Sequence, residues 1–286
     1  MPTALVVGAT SMLGKRLVAQ LQAHGWQVIT AGRQPECEVF VDLGAAPWTG
    51  RADQQADVLF HCAAAFADDS PQGCWLNETV NALGSLQVLA LSEAFACRQL
   101  IYAGSISSSY RQAPTELGSY GASKLRGEQL LEWGMARQQG SFCSLRLAQL
   151  YDERGECAAH QWWFSRIVAY AASGQDLRLP PGSALRNFVH VDDAAALLIR
   201  AAREHWRGVR SVVHPRSLST AEIAEQAYAV FAQGGRVRVA DDKQPFREVF
   251  IPQSDLLDYP FRSLEQGLSQ IRAGGYGQGF AALDVA

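Results

Sequence analysis

The chain predicts an α/β fold, a doubly wound parallel sheet followed by a small mixed lobe at the carboxyl-terminal end. From Thr3 to Leu147, short apolar runs alternate six times with stretches whose apolar residues fall at helical spacing, and that alternation builds a parallel sheet joined by crossover helices. Beyond Tyr151 the alternation loosens, and the Gly- and Pro-rich stretch Gly174 to Ser183 marks where a second lobe begins. The boundaries read this way are 1–155 for the sheet domain, with parts of 185–215 returning to it, and 156–286 mainly for the lobe. At 286 residues and 48% hydrophobic content the chain can bury a core of that size.

The first strand, Thr3 to Val7, runs into Gly8, and a helix follows with Leu13, Leu17, Val18 and Leu21 on one face until Gly25 closes it. The turn between them reads Gly8, Ala9, Thr10, Ser11, Met12, Leu13, Gly14. Glycines here allow a sharp turn and close packing, and a helix start offers N–H groups to a pyrophosphate. This makes Gly8, Thr10, Ser11, Met12, Leu13 and Gly14 candidate dinucleotide contacts and the sheet Rossmann-type. The alternative is an ordinary strand-to-helix turn. The second strand, Gln27 to Ala31, is followed by Gly32 and Arg33 where an NAD site usually offers a carboxylate. An arginine pairs with a 2′-phosphate instead, which favours NADP(H) over NAD(H), unless Arg33 is simply an exposed loop residue. Val39 to Val41 forms the third strand and leads to Asp42 and Leu43, with Asp42 a candidate for the adenine edge. The fourth, Asp57 to Cys62, leads into Ala63, Ala64 and Ala65, small enough for a cofactor ribose to approach.

Cys74 to Ala96 reads as one long helix containing Asn81 and Gly84, and Leu100 to Ala103 as the fifth strand. A hydroxyl cluster from Ser105 to Ser109 follows that strand, at the sheet edge where α/β proteins bind ligands, and either Ser105 or Ser107 is placed to meet Tyr120. Tyr120 and Lys124 stand four residues apart at the start of a helix running through Leu125, Leu130, Leu131 and Trp133. That spacing puts a phenol and an ammonium on one face, where the cation favours the phenolate and lowers the tyrosine pKa. Phe142 to Leu147 is the sixth strand. In the lobe, Gln161 to Ser173 reads as a helix opening with Trp162, Trp163 and Phe164, and Phe188 to Val191 as a strand. Asp192 is expected to cap a helix from Asp193 to Arg203, and Val209 to Val213 to return as a strand. Ser219 and Glu222 form a capping box for the helix Thr220 to Phe231. Val237 to Ala240 is a strand, Ser263 opens a last short helix, and the Gly-rich tail from Gly274 predicts a mobile end.

A net charge of −3 with 19% charged residues and no run of like charge gives no support to a nucleic-acid or membrane-surface partner, and points to a small-molecule substrate. No apolar run has the length of a membrane span and no basic leader precedes the first strand, so a cytoplasmic protein is expected. The six cysteines form no C-x-x-C pair and accompany no histidine cluster, which predicts free thiols and no metal site.

Together these motifs resemble the extended short-chain dehydrogenase/reductase family, also called the NAD-dependent epimerase/dehydratase family. The likeness rests on the Gly8 to Gly14 turn, Asp42-Leu43, His61 to Ala64, Asn81, the set Ser105, Tyr120 and Lys124, Arg146 with Tyr151, and Arg186 to Asp193. It implies that Tyr120 is the acid/base at a substrate oxygen, that Lys124 lowers its pKa and binds the nicotinamide ribose, and that Ser105 holds the oxygen. It places Leu43, Cys62, Ala63, Ala64 and Asn81 at the cofactor, and implies a homodimer through the helices around Asn81 and Tyr120. Arg186 matches a diphosphate contact, and the aromatic cluster Trp162 to Phe164, led by Trp162, is a candidate wall for a sugar or base, the alternatives being a surface charge and core packing.

Some residues depart from the family pattern. Ser11 stands at the middle glycine of the turn, where left-handed backbone would strain a serine. Arg33 replaces an acidic residue, Ser105 lacks the Asp-Glu pair of dehydratases beside it, and Lys243-Gln244 stand where an arginine often precedes Pro245. The reading is an NAD(P)-dependent oxidoreductase, extending to a keto-sugar nucleotide reductase, with a nucleotide-sugar epimerase and a non-catalytic nucleotide sensor as alternatives.

Overall fold

The computed structural model describes residues 1–45 and 47–275; the tail expected to be mobile lies outside the described residues from 276 onward. The chain separates into two compact units, one of residues 1–147 with 194–212, the other of 148–193 with 213–286.

The first unit is built on a seven-stranded sheet. Its strands are β1 (Thr3–Val7), β2 (Gln27–Gly32), β3 (Val39–Phe40), β4 (Val58–His61), β5 (Gln99–Ser105) and β6 (Ser141–Leu147), with a seventh from later in the chain, Gly208–Val212. The spatial order is Gly208–Val212, β6, β5, β4, β1, β2, β3, and each neighbouring pair is parallel. Every residue of β4 and β5 is buried, which is why both read as continuous rather than alternating runs: helices cover both faces of the sheet. The strand order reverses at β1, between β4 and β2, and the crevice beyond the carboxyl ends of strands at such a point is where ligands enter this architecture.

Four helices belong to this part of the chain, α1 (Met12–Ala23), α2 (Pro71–Asn77), α3 (Gly84–Ala94) and α4 (Ser119–Arg137). The single long helix expected over Cys74 to Ala96 is interrupted by a π-helical stretch, Glu78–Leu83, holding Asn81. Such widened turns often mark functional positions. Gly84, the first residue of the next segment, packs closely on Leu43: a Cβ there would lie 2.8 Å from the Leu43 Cβ.

In the second unit, β7 (Gln149–Tyr151), β8 (Leu177–Leu179), β9 (Leu185–Arg186) and β10 (Phe188–His190) accompany α5 (Trp162–Ser173), and α6 (Val191–Arg203) carries the chain back. The first unit's seventh strand is β11 (Gly208–Val212); β12 (Leu218–Ser219), α7 (Thr220–Phe231), β13 (Val237–Val239) and α8 (Leu264–Ala273) follow. Their core is aromatic and aliphatic, from Tyr151, Phe164 and Phe188 to Leu268 and Ile271. The capping box of Ser219 with Glu222 forms as read from the sequence. Asp192 does not cap its helix: α6 begins at Val191, so Asp192 and Asp193 lie in its first turn, where their charge suits the helix dipole. Among the described residues no helix is long and apolar enough to cross a membrane, and all six cysteines are free thiols.

Candidate active site

The turn from β1 to α1 packs backbone against backbone. Gly8 has φ +80°, and a Cβ there would come within 2.5 Å of the Ala63 nitrogen. At Gly14 a Cβ would come within 2.0 Å of the Gly8 carbonyl oxygen. Ser11 is not strained: it is extended at φ −68°, ψ 161° and caps α1, its Oγ accepting from the Gly14 N–H at 3.0 Å. The expected penalty at this departure from the family pattern is absent because the left-handed residue is Gly8. The same hydroxyl lies 3.5 Å from the Cys62 carbonyl. Leu13 buries its side chain in the core, so its contribution here is backbone. Capping by Ser11 uses the Gly14 N–H and leaves the other first-turn N–H groups, Met12 and Leu13, for an anion. Thr10 is half-buried beside them. A tight, backbone-lined cradle at a helix start fits the pyrophosphate of a dinucleotide.

Around it, the Cys62 N–H donates to the Val7 carbonyl at 2.8 Å, with Ala63 half-buried and Ala64 exposed just beyond. Asp42 takes the Gly44 N–H at 3.0 Å and holds Gln87 through its carbonyl at 2.9 Å, presenting Leu43 to the core. Arg33 is exposed immediately past β2.

β5 ends at Ser105, buried on the carboxyl edge of the sheet. Its Oγ accepts from the Ser107 N–H at 3.1 Å, opening the single turn Ile106–Ser108. α4 reaches this turn because residue 121 is glycine: a Cβ there would lie 2.0 Å from the Ser107 carbonyl oxygen. Ser107 itself is exposed. The contact brings the Ser105 hydroxyl to the Tyr120 phenol. Burial raises the phenol's pKa above its usual value, and the hydrogen bond from Ser105 opposes that rise.

Lys124 behaves differently from the sequence expectation. Its Nζ donates to the Ala103 carbonyl at 2.9 Å and sits 4.1 Å above the centre of the Tyr102 ring. With the ammonium engaged there, it is not among the groups that set the Tyr120 pKa. Burial lowers the Lys124 pKa to about 7, against the opposing pull of Cys62 and Glu128. His61 stacks on the other component of this cluster, its ring centre 5.2 Å from that of Tyr102. Burial and then the Lys124 cation lower the His61 pKa to about 3, so it is a neutral core histidine. Burial raises the Cys62 thiol to about 12, which makes it inert as a nucleophile.

One turn along α4, the Glu128 carboxylate accepts from the Ser144 hydroxyl at 2.6 Å and from Arg146 at 2.5 and 3.1 Å. This buried pair braces α4 against β6 beneath the cluster. Two asparagines brace its other side. Asn81 closes a two-point bond with the backbone of Ala65, 2.8 Å in each direction, and donates to Ser123 Oγ at 3.0 Å. Asn77 repeats this one turn earlier, bonding both backbone groups of Ala67 at 3.0 and 3.1 Å and donating to Ser119 Oγ at 2.9 Å. Gly121, Asn77, Glu128 and Phe66 escaped the sequence reading. The four-residue offsets of Asn77 with Asn81 and Ser119 with Ser123 were the available signal.

Arg186 and Trp162 belong to the second unit. Arg186 is 7% exposed, donates to the Leu185 and Arg247 carbonyls at 2.8 Å each, and is flanked by the rings of Trp163 and Phe246. Trp162 is 60% exposed, while its neighbours Trp163 and Phe164 pack with Phe188. Glu153, His190 and Asp192 also gather in this unit. The Arg262 guanidinium bonds His190 Nδ1 and lies 3.6 Å from Asp192, so a fixed cation already faces this group.

A glycine turn at the strand-order reversal, with a tyrosine, a serine and a lysine gathered at the same sheet edge, fits a nicotinamide-dependent enzyme of the extended short-chain dehydrogenase/reductase type. Residues 4–213 match the NAD-dependent epimerase/dehydratase family, and the chain belongs to that family. It is 26% identical to a UDP-glucose 4-epimerase of Azospirillum brasilense over 96% of each chain. Its fold is shared by UDP-N-acetylglucosamine 4-epimerase from Bacillus cereus, at a TM-score of 0.74 and 20% identity over 99% of this chain and 98% of that one. It is shared also by the Thermus thermophilus UDP-glucose 4-epimerase in complex with NAD, at a TM-score of 0.69 and 20% identity over 99% and 100%.

Proposed function

We propose that this chain epimerises a nucleoside-diphosphate sugar at C4 by tyrosine-mediated oxidation and re-reduction of one carbon. The observation that carries the reading is the Ser105–Tyr120 pair at the carboxyl edge of the sheet, on the far side of β4 from the Gly8–Gly14 cradle. Near-full-length similarity to a UDP-glucose 4-epimerase supports it.

In this reading Gly8, Thr10, Ser11, Met12, Leu13 and Gly14 hold the pyrophosphate, Asp42 and Leu43 the adenine, and Cys62 to Ala64 with the loop pinned by Asn81 the ribose side. When bound, the nicotinamide supplies the acceptor and donor of hydride. Tyr120, as phenolate, takes the proton of the substrate hydroxyl while its carbon is oxidised, and returns it when the carbon is reduced from the other face. Ser105 holds the oxygen throughout. Lys124 turns from the Ala103 carbonyl to the ribose and stabilises the phenolate. Arg186 is assigned to the diphosphate, Trp162 to the sugar or base, and Ser107 to the substrate.

A second reading is NADPH-dependent reduction of a keto-sugar nucleotide, which Arg33 at the end of β2 favours through a 2′-phosphate. Incubation with UDP-glucose and catalytic NAD separates them. Epimerisation yields the 4-epimer with no net change in nicotinamide absorbance. Stoichiometric NADPH oxidation by a keto-sugar, lost in Arg33→Asp, with no epimer formed, would replace the first reading by the second, and absence of both would leave a nucleotide sensor. The proposal includes a cytoplasmic homodimer through the α2–α3 and α4 faces, where Leu76, Leu83, Leu86 and Trp133 are exposed. Leu83→Glu is expected to turn the dimer into monomer on size-exclusion chromatography.

A further inference from the structure

Between the two asparagine-bonded alanines stands Phe66. Its ring meets that of Tyr120 edge to face, with centres 4.6 Å apart at 70°, yet 56% of its surface remains open. Packing alone leaves the ring only partly enclosed. Here the backbone on both sides is fixed instead, by Asn77 and Asn81, which are 0% and 2% exposed. Each asparagine satisfies both the N–H and the carbonyl of its alanine, then spends its remaining amide proton on a serine of the first turns of α4. Ser119 and Ser123 flank Tyr120, and Ser123 donates to the Tyr120 carbonyl at 2.8 Å. The main chain of Asp68 and the carboxylate of Asp69 close the same connection, the first accepting from the Ser119 hydroxyl at 3.1 Å and the second from its N–H at 2.7 Å. The backbone segments that carry the phenylalanine and the tyrosine are therefore tied together by one hydrogen-bonded frame.

Two features of this arrangement matter chemically. The ring packs against that of Tyr120 and removes part of its apolar surface from water. The open part of the ring offers a flat apolar surface beside Tyr120. A pyranose presents C–H groups on its faces, and aromatic walls with a few placed polar groups are how small-ligand sites achieve orientation.

We infer that Phe66 is a specificity-determining wall on which the hexose ring of the nucleotide sugar packs beside Tyr120. This rests on the function proposed above. It assigns the substrate's sugar, and not the substrate's nucleotide, to Phe66.

The test compares the NAD-loaded enzyme with its Phe66→Ala and Phe66→Trp variants, titrating UDP-glucose and UDP separately by calorimetry and measuring turnover in parallel. Because Phe66 is largely exposed, melting temperatures should stay close to the wild type. The expected result is about tenfold weaker UDP-glucose binding in Phe66→Ala, UDP binding within about twofold of wild type, and recovery in Phe66→Trp. Unchanged UDP-glucose affinity in Phe66→Ala overturns the inference. So does a parallel loss for UDP, which would give the ring to the nucleotide, and so does a wild type that binds no UDP-glucose. A wild type that binds UDP-glucose through Phe66 but does not turn it over refutes the proposed reaction and leaves this inference standing.

Discussion

Lys124 and Tyr102 form a cation–ring pair, the ammonium 4.1 Å from the ring centre and bonded to the Ala103 carbonyl next to it. Tyr102 is fully buried, so the seat is dry, and it holds the lysine away from the phenol that the sequence pairs it with.

That seat makes stability depend on pH. Burial lowers the Lys124 pKa from 10.5 to about 7, so between those values the unfolded chain binds the extra proton and stability rises with pH. The penalty for the charged lysine is complete below about pH 7 and vanishes above the unfolded value; a fall from 10.5 to about 7 corresponds to about 5 kcal/mol at most. Replacing Lys124 by Met removes this dependence. In thermal melts of the cofactor-free protein, the gain of the variant over wild type should be larger at pH 6.5 than at pH 10. A gain that is the same at both pH values would contradict the assignment.

Gly121 sets the distance between α4 and the serine turn. Gly121→Ala places a methyl 2.0 Å from the Ser107 carbonyl oxygen if nothing moves, so the helix must retreat and carry Tyr120 from Ser105. The expected outcome is a loss of about 1–3 kcal/mol in urea unfolding. Turnover should fall further than the fraction of folded protein, while dinucleotide affinity is retained because the Gly8–Gly14 cradle is untouched.

The Glu128–Arg146 pair is mostly buried, at 4% and 18% side-chain exposure. Glu128→Ala leaves a guanidinium without its partner and should destabilise by about 3–5 kcal/mol. Adding Arg146→Met removes the stranded charge, and the double variant should be more stable than Glu128→Ala alone. Denaturant melts of the four proteins in the cycle measure this directly, and additive losses would show that the two side chains act independently.

Much of the fold was legible because a parallel sheet covered on both faces leaves unbroken apolar runs such as 58–60 and 100–103. The cradle was legible because glycine is demanded where backbone meets backbone, at Gly8 and Gly14. What spacing could not reveal is which way a side chain turns. Tyr120 and Lys124 share a helix face, but the nearest acceptor for the ammonium is the Ala103 carbonyl on β5, a contact between residues 21 apart in the chain. The long helix over 74–96 hides its π-helical stretch, since apolar spacing is insensitive to one widened turn. Phe66 reads as one residue of a loop, and its position depends on Asn77, Asn81 and two serines 42 residues beyond them.

The central claim is that the Tyr120 hydroxyl moves the proton. Tyr120→Phe removes one oxygen and keeps the ring against Phe66, so the fold, the melting temperature and NAD binding should be unchanged. Steady-state turnover of UDP-glucose should fall by about 10²- to 10⁴-fold, the usual contribution of a positioned acid/base. A Tyr120→Phe enzyme that epimerises UDP-glucose at near the wild-type rate would contradict it.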